Sequence, residues 1–391
     1  MERMSESTTV SVSGINPVRS LELNVFVAQI FGVPVFFRET HLYTRILVCL
    51  YCLVSFILFN GYYFYCEMLD LSYCNSFNDI VQNLSLSVTH LSGTVKVLNV
   101  LFRIRKLQAV LEEVRGLPSR YVKKEEQHAI FRTSEIKNKL IVIVYSSTVT
   151  CTCLAALFAM IKEPTMGGRK FPFRAHLPDS LPMSVRILYW WFAVFILGIQ
   201  IVAIDSINIL LVNQIQSHLK FLTINFSDLT SSAILQKDAC SKLAECLEYH
   251  QLILRIRDDI ENLFKYPILF QFFVSLLVIV VTGFQAIVLP AAEGGLLIYF
   301  YCSGVFFQLF SICWFTNQVM EENKLLVQAG YDTAWFEYGD RYCKMLLIFM
   351  INAQKPLTFT IGGFSGLSLN TFSGVLSRSY SYIAVLRQVY A

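Results

Sequence analysis

Residues 187–212 read ILYWWFAVFILGIQIVAIDSINILLV. A bilayer core is crossed by about 20 predominantly apolar residues wound as a helix, and this run is longer than that. Working outward from it, Leu140–Ile161, Ile46–Tyr65, Ile268–Leu289 and Leu296–Phe315 are windows of the same kind. Ile80–Phe102 has the length but holds His90 and Lys96, and Leu367–Val389 has it with Ser, Thr, Asn and Arg interspersed. Hydrophobic residues make up 55% of the 391 and charged residues only 15%, against about 25% charged in soluble domains. The expected fold is an all-α membrane protein with seven transmembrane helices.

Orientation follows from the basic residues. The segments Met1–Arg45, Arg103–Lys139, Asn213–Tyr266 and Asn317–Lys344 hold 23 of the 32 Lys and Arg. The opposite set, Cys66–Asp79, Lys162–Arg186 and Pro290–Gly295, holds 5. This bias predicts a cytoplasmic N-terminus and an extracellular C-terminus. The net charge of +4 is then the ordinary basic cytoplasmic face, and no nucleic-acid partner is expected. Lys96 lies toward the cytoplasmic end of its span, where snorkelling is the expected behaviour. Val25–Phe37 has the length of a signal-peptide core but no small-x-small cleavage site, so a short interfacial helix is expected there instead.

The cytoplasmic segments are patterned. In Ala239–Phe264 the positions Leu243, Leu247, Leu254, Ile253, Ile256, Ile260 and Leu263 recur at three and four residues, with Asp258, Asp259 and Glu261 among the solvated ones. The fourth span should run on past Asn213, and the fifth should begin well before the membrane. Apolar stripes on helices projecting from a bilayer need partners. Packing on one another within the chain is one solution, and a subunit interface is the one favoured here.

Enzyme chemistry is not expected. The histidines His41, His90, His128, His176, His218 and His250 stand apart in sequence, with no HExxH, Walker A or GxSxG. No metal or cofactor site is expected. Most of the eleven cysteines fall in spans as small hydrophobes. Cys66 and Cys74 share an outside loop, where a disulfide is permitted, but spacing alone does not bring the sulfurs together.

Polar and aromatic residues inside the spans are the candidate binding surface. Tyr145, Thr148 and Thr152 lie on the third, Tyr189-Trp190-Trp191-Phe192 open the fourth, and Tyr299-Phe300-Tyr301 open the sixth. An interfacial aromatic belt and helix–helix packing are the plain explanations. A pocket in the outer half of the bundle is the sharper one, apolar with few orienting groups and suited to a small volatile or lipid-like molecule. Its candidate lining is Leu84, Val88, Tyr145, Thr148, Thr152, Phe192, Ile196 and Tyr301.

The tail is the most specific stretch. Tyr331, Trp335 and Phe336 are followed by Leu346-Leu347-Ile348, Ala353-Gln354-Lys355-Pro356-Leu357 and Gly362-Gly363-Phe364. Leu367-Ser368-Leu369, Phe372 and Ser379-Tyr380-Ser381-Tyr382 complete the pattern. It resembles the insect odorant receptors of the odorant-tuned type. The related gustatory receptors end on Thr-Tyr, five apolar residues and Gln-Phe. Here Arg387 interrupts the apolar run and Val389 replaces Phe, which favours the odorant branch.

That resemblance implies an odorant-gated, non-selective cation channel of four subunits, with a co-receptor as partner, in the plasma membrane of olfactory sensory neurons. It divides the chain into a cytoplasmic N-terminus with a short interfacial helix (1–45), six membrane helices with the odorant pocket (46–316), a cytoplasmic anchor segment (317–356) and a pore-lining last helix (357–391). It puts Val385 and Val389 at a hydrophobic gate and Gln388 at the adjacent polar position. The four-residue spacing stacks the two valines on one helix face, where a ring of them would close a pore by dewetting. The Asn213–Tyr266 segment is too short for the co-receptor, so the chain reads as a tuning subunit. The alternative, a G-protein-coupled chemoreceptor, requires the opposite orientation and an Asp-Arg-Tyr-like motif after span three, where Met160-Ile161-Lys162-Glu163-Pro164 stands instead.

Overall fold

The computed structural model describes residues 19–36, 41–74, 77–121, 125–162, 172–229, 236–288 and 295–390. Helix α1 (Arg19–Ile30) is short and buries Leu21, Val25 and Ala28 while Leu23, Phe26 and Ile30 stay exposed. It is tied to the bundle by Ser20 N–H to Glu135 Oε2 at 3.0 Å and Asn24 Nδ2 to Ala203 O at 3.0 Å. α2 (Leu42–Ser55) and α3 (Tyr63–Ser72) are joined without a break through a π-helical stretch, Phe56–Tyr62. α4 (Phe77–Phe102) follows, then α5 (Ile104–Tyr121), α6 (Glu125–Lys162), α7 (Met183–Asp228), α8 (Gln236–Val288), α9 (Gly295–Tyr331), α10 (Gly339–Ala353) and α11 (Leu369–Tyr390).

Among the described residues, five helical stretches are long and apolar enough to cross a membrane: α2 with α3, α6, α7, α8 and α9. α4 and α11 complete the seven. They have 26 and 22 residues, or about 39 and 33 Å at 1.5 Å per residue. The outer face of α2 and of the π-helical stretch after it shows why lipid is the solvent. Leu42, Ile46, Leu47, Leu50, Leu53, Val54 and Ile57 are all exposed, a patch no monomer would turn to water.

α7 is the central mast. From Ile199 to Leu219 every residue is buried except Asp205, which is half-buried. Such a helix is hydrophobic all round because helices pack on all sides of it, here α1, α4, α6, α8 and α9. As expected, it continues past Asn213, and α8 begins well before its membrane portion. Leu243, Ile253, Ile256, Ile260 and Leu263 of α8 are buried in the same core as Leu107, Leu111 and Val114 of α5 and Tyr342 and Phe349 of α10. That core is internal to the chain, so the stripe on Ala239–Phe264 is covered without a second subunit.

Pro267 sits inside α8. A proline has no N–H, which frees the carbonyl four residues back. Asn99 Nδ2 donates to that carbonyl, Leu263 O, at 2.9 Å, and Arg103 caps the neighbouring Asn262 O. Beyond α10 the chain forms a tight antiparallel hairpin, β1 (Thr360–Ile361) and β2 (Ser365–Gly366), before α11. Gly362 and Gly363 turn it with φ of 62° and 87°, in the left-handed region that glycine tolerates. A Cβ on Gly362 would come within 2.7 Å of Leu269 Cδ2, so glycine also lets the hairpin lie against α8. Ser368 then caps α11, accepting from Thr371 N–H at 3.3 Å.

His90 has a partner distant in sequence: its Nδ1 lies 2.7 Å from Glu67 Oε2, both side chains fully buried between α3 and α4. The disulfide that the outside loop permits is not formed. Cys66 and Cys74 are free thiols. Cys66 faces the bundle on α3, whereas Cys74 lies eight residues on, about 12 Å along a helix, and its thiol donates to Asp70 O at 3.4 Å. A disulfide needs Cα atoms about 4.4–6.8 Å apart.

Candidate functional site

A cavity opens among α4, α6, α7 and α9 at the end of the bundle that carries the α6–α7 connection, with about 590 Å³ of unfilled space, its open mouth included. α4 contributes Leu86 and Thr89, and α6 contributes Tyr145, Thr148, Val149, Thr152 and Cys153. α7 adds Val194, Leu197, Gly198 and Ile201, and α9 adds Tyr301, Gly304, Val305 and Gln308. The walls are mainly apolar, with hydroxyls on three sides.

Phe173, from the connection before α7, covers one end, with its ring edge-on to Tyr301 at 5.6 Å. The cover is fastened at several points. Trp190 Nε1 donates to Phe173 O at 2.9 Å, and His176 N–H to Cys66 O at 3.0 Å. Arg174 is buried between Asp70 (2.9 Å) and Asp79. Tyr189 and Trp191 also turn their donors inward, to Leu58 O and Cys153 O. The aromatic cluster opening the fourth span is therefore protein-facing, not only an interfacial belt.

A polar layer closes the other end. Asp205 of α7 receives Lys96 Nζ at 2.7 and 2.8 Å, Tyr145 O–H at 3.1 Å and Gln308 Nε2. Gln308 exchanges hydrogen bonds with Gln271 of α8, which also donates to Ser275 and accepts from Ser92. Lys96 thus does not snorkel to water; its ammonium is neutralised at depth. A second cavity lies on the far side of this layer, lined by Lys96, Asp205, Asn208, Pro267 and Gln308 among others.

Of the eight residues expected to line a pocket, Tyr145, Thr148, Thr152 and Tyr301 line this one. Leu84, Val88, Phe192 and Ile196 do not. Val88 packs against Val274, Val278 and Val305, and Phe192 is exposed beside Trp191. At 100° per residue, Phe192 and Ile196 lie about half a turn from the Val194–Leu197–Ile201 face, and Leu84 and Val88 lie almost as far from Leu86 and Thr89. The sequence reading passed over Gly198 and Gly304, two glycines in otherwise bulky spans, and the intramembrane carboxylate Asp205. Each was a usable signal.

On α11, Phe372, Leu376 and Ser379 turn toward the bundle, with Phe372 edge-on to Phe306 and Phe310 at 5.1 and 5.5 Å. Val385 and Gln388 lie on its exposed side, as does Arg387. The Val389 side chain lies outside the described residues.

A family model described as 7tm Odorant receptor matches residues 76–380. Among curated proteins, the putative odorant receptor 92a of Drosophila melanogaster is 24% identical over 244 residues, covering 60% of each chain. The chain spans about three fifths of the length of the curated relatives it matches. Among solved structures, the insect olfactory receptor OR5 of Machilis hrabei superposes with a TM-score of 0.85 at 17% identity, covering 95% of this chain and 98% of that one. The same receptor in complex with eugenol gives 0.83, covering 96% and 100%.

Proposed function

The chain belongs to the 7tm odorant receptor family, and we propose from that premise that it binds a small volatile in the cavity between α4, α6, α7 and α9. It is a multi-pass membrane receptor and not an enzyme. The observation that carries the proposal is the cavity itself: apolar walls, a few hydroxyls and a fastened cover. This is the composition expected of a site that gains affinity from apolar area and orientation from one or two polar groups. That a relative of the same fold is solved with eugenol supports the ligand class.

The proposal extends to a channel subunit. Binding would bias the packing of α8 and α9 against α11, whose exposed side, with Val385, Gln388 and Val389, would line a pore shared by four subunits including a co-receptor. The N-terminus would be cytoplasmic, the C-terminus extracellular, and the receptor at the plasma membrane of olfactory sensory neurons. The basic-residue bias supports this orientation and speaks against a G-protein-coupled receptor.

The decisive experiment is whole-cell recording with the chain and an insect co-receptor co-expressed, over a panel of volatiles. Gly304→Val fills the cavity, since a Cβ there already meets Thr148 Oγ1 at 3.5 Å. It should raise half-maximal concentrations for bulky volatiles about ten-fold or more, the size of a ~1–3 kcal/mol overpacking clash, and spare the smallest. Odorant currents that are identical in parent and Gly304→Val across the panel would place binding elsewhere.

A further inference from the structure

The cavity's hydrogen bonds have a direction, and it bears on which volatiles fit. Thr148 Oγ1 donates to Tyr145 O at 2.8 Å, and Thr152 Oγ1 to Thr148 O at 2.8 Å. Tyr301 O–H donates to Ser85 O at 2.7 Å. Thr89 Oγ1, 2.6 Å from the Tyr301 oxygen and 3.1 Å from Ser85 O, also turns its hydrogen into that group. At the floor Tyr145 O–H donates to Asp205. Both hydrogens of Gln308 Nε2 go to Asp205 and Gln271. The amide cannot be flipped, because a carboxylate flanked by Lys96 only accepts.

The hydroxyl and amide donors of the described wall are therefore committed to protein, leaving Cys153 with a weak S–H. What remains free is lone-pair capacity. A threonine oxygen has two acceptor sites, and the Thr148 oxygen faces Gly304, where no side chain stands in front of it.

We propose that the cavity selects volatiles that donate a hydrogen bond, small alcohols and phenols, over isosteric volatiles that only accept, with the Thr148 and Thr152 oxygens as acceptors. This rests on the odorant-binding reading above. An ether or ketone in the same place presents lone pairs to lone pairs, unless a threonine gives up its backbone bond. An alcohol completes the set with no rearrangement. One neutral hydrogen bond corresponds to about five-fold in affinity.

The test is dose–response recording, with an insect co-receptor, on isomeric pairs: hexanol against methyl pentyl ether, 2-phenylethanol against benzyl methyl ether, 4-methylphenol against anisole. The alcohol or phenol should act at about five-fold lower half-maximal concentration. The gap should close in Thr148→Val/Thr152→Val and persist in Thr148→Ser. Ethers equal to or better than their alcohols on the parent protein overturn the inference, as does a gap unchanged in the double valine variant. The parent recordings alone are sufficient if the variants do not reach the surface. Silence toward every pair, with the chain at the surface, removes the odorant-binding reading and this inference with it. Currents without donor preference remove only the inference.

Discussion

Losing Lys96 and Asp205 together should destabilise the bundle by clearly less than the sum of losing each alone. The ammonium meets the two carboxylate oxygens at 2.7 and 2.8 Å, bridging α4 and α7, with side chains only 4% and 16% exposed. At an effective dielectric of about 20, unit charges 2.7 Å apart attract by about 6 kcal/mol. Withdrawing the ions from water costs several kcal/mol each, so the pair as a unit comes close to neutral. Removing one member leaves the other charge buried without its counter-ion, at about 3–5 kcal/mol. That is a large share of a stability of about 5–15 kcal/mol.

Lys96→Met and Asp205→Leu each keep most of the volume, and each should lower the melting temperature of the detergent-solubilised receptor. With about 2 °C per kcal/mol for a chain of this size, the loss is roughly 6–10 °C. Lys96→Met/Asp205→Leu still strands the Tyr145 and Gln308 donors, but leaves no unpaired charge, so it should lose less than the sum of the single losses, a coupling of about 2 kcal/mol or more. Melting temperature followed by size-exclusion fluorescence measures all four proteins. If the double variant loses the sum of the single losses, the two charges do not interact and the polar floor is misassigned.

Two further outcomes rest on close contacts and a third on the proposed gate. A Cβ on Gly198 would lie 2.5 Å from Val149 Cγ1, so Gly198→Ala should cost about 1–3 kcal/mol and be rescued by Val149→Ala, as read by the same melts. Asn99→Ala should leave Leu263 O unpaired at about 1–3 kcal/mol; in a Pro267→Ala background, which restores the helical donor, thermal melts should show it nearly neutral. Polar replacement of Val389 or Val385 should raise resting cation current when co-expressed with a co-receptor, and unchanged resting current and permeation at both positions would remove the gate assignment.

The spans were legible because the signal is an average over about 20 residues and survives a few polar exceptions. The run of α7 to Asp228 and the early start of α8 were legible for a related reason: nothing in Asn213–Asp228 or Ala239–Phe264 stops a helix. The hairpin was visible only as punctuation. Gly362-Gly363 announce a turn, but two two-residue strands leave no period to detect. The cavity was half legible. On α6 the hydroxyls of Tyr145, Thr148 and Thr152 fall on one face and so mark a direction. α7 offers no such mark: around Phe192–Ile201 its exposed and its buried sides are both apolar, with Leu188 and Phe192 on one and Val194 and Leu197 on the other, so no polar alternation distinguishes Phe192 and Ile196 from Val194, Leu197 and Ile201.

The residue missed altogether, Asp205, links the remaining pieces. It is the one position between Ile199 and Leu219 of α7 that is not fully buried, and its carboxylate organises everything beneath the cavity. It neutralises Lys96, turns the Tyr145 hydroxyl downward and fixes the Gln308 amide, which in turn sets Gln271 on α8. α8 and α9 are also the helices on which α11 rests, through Phe306, Phe310 and the approach of Ile383 to Gly283. On the proposed reading, a ligand that shifts α9 by its contacts with Tyr301 or Gly304 would act on two attachments at once, the Gln308 bonds to Asp205 and Gln271 and the aromatic seat of Phe372. Coupling through such a layer needs no long pathway. It needs only that the ligand fit one arrangement of α9 better than another, which is the condition any ligand-driven transition must meet.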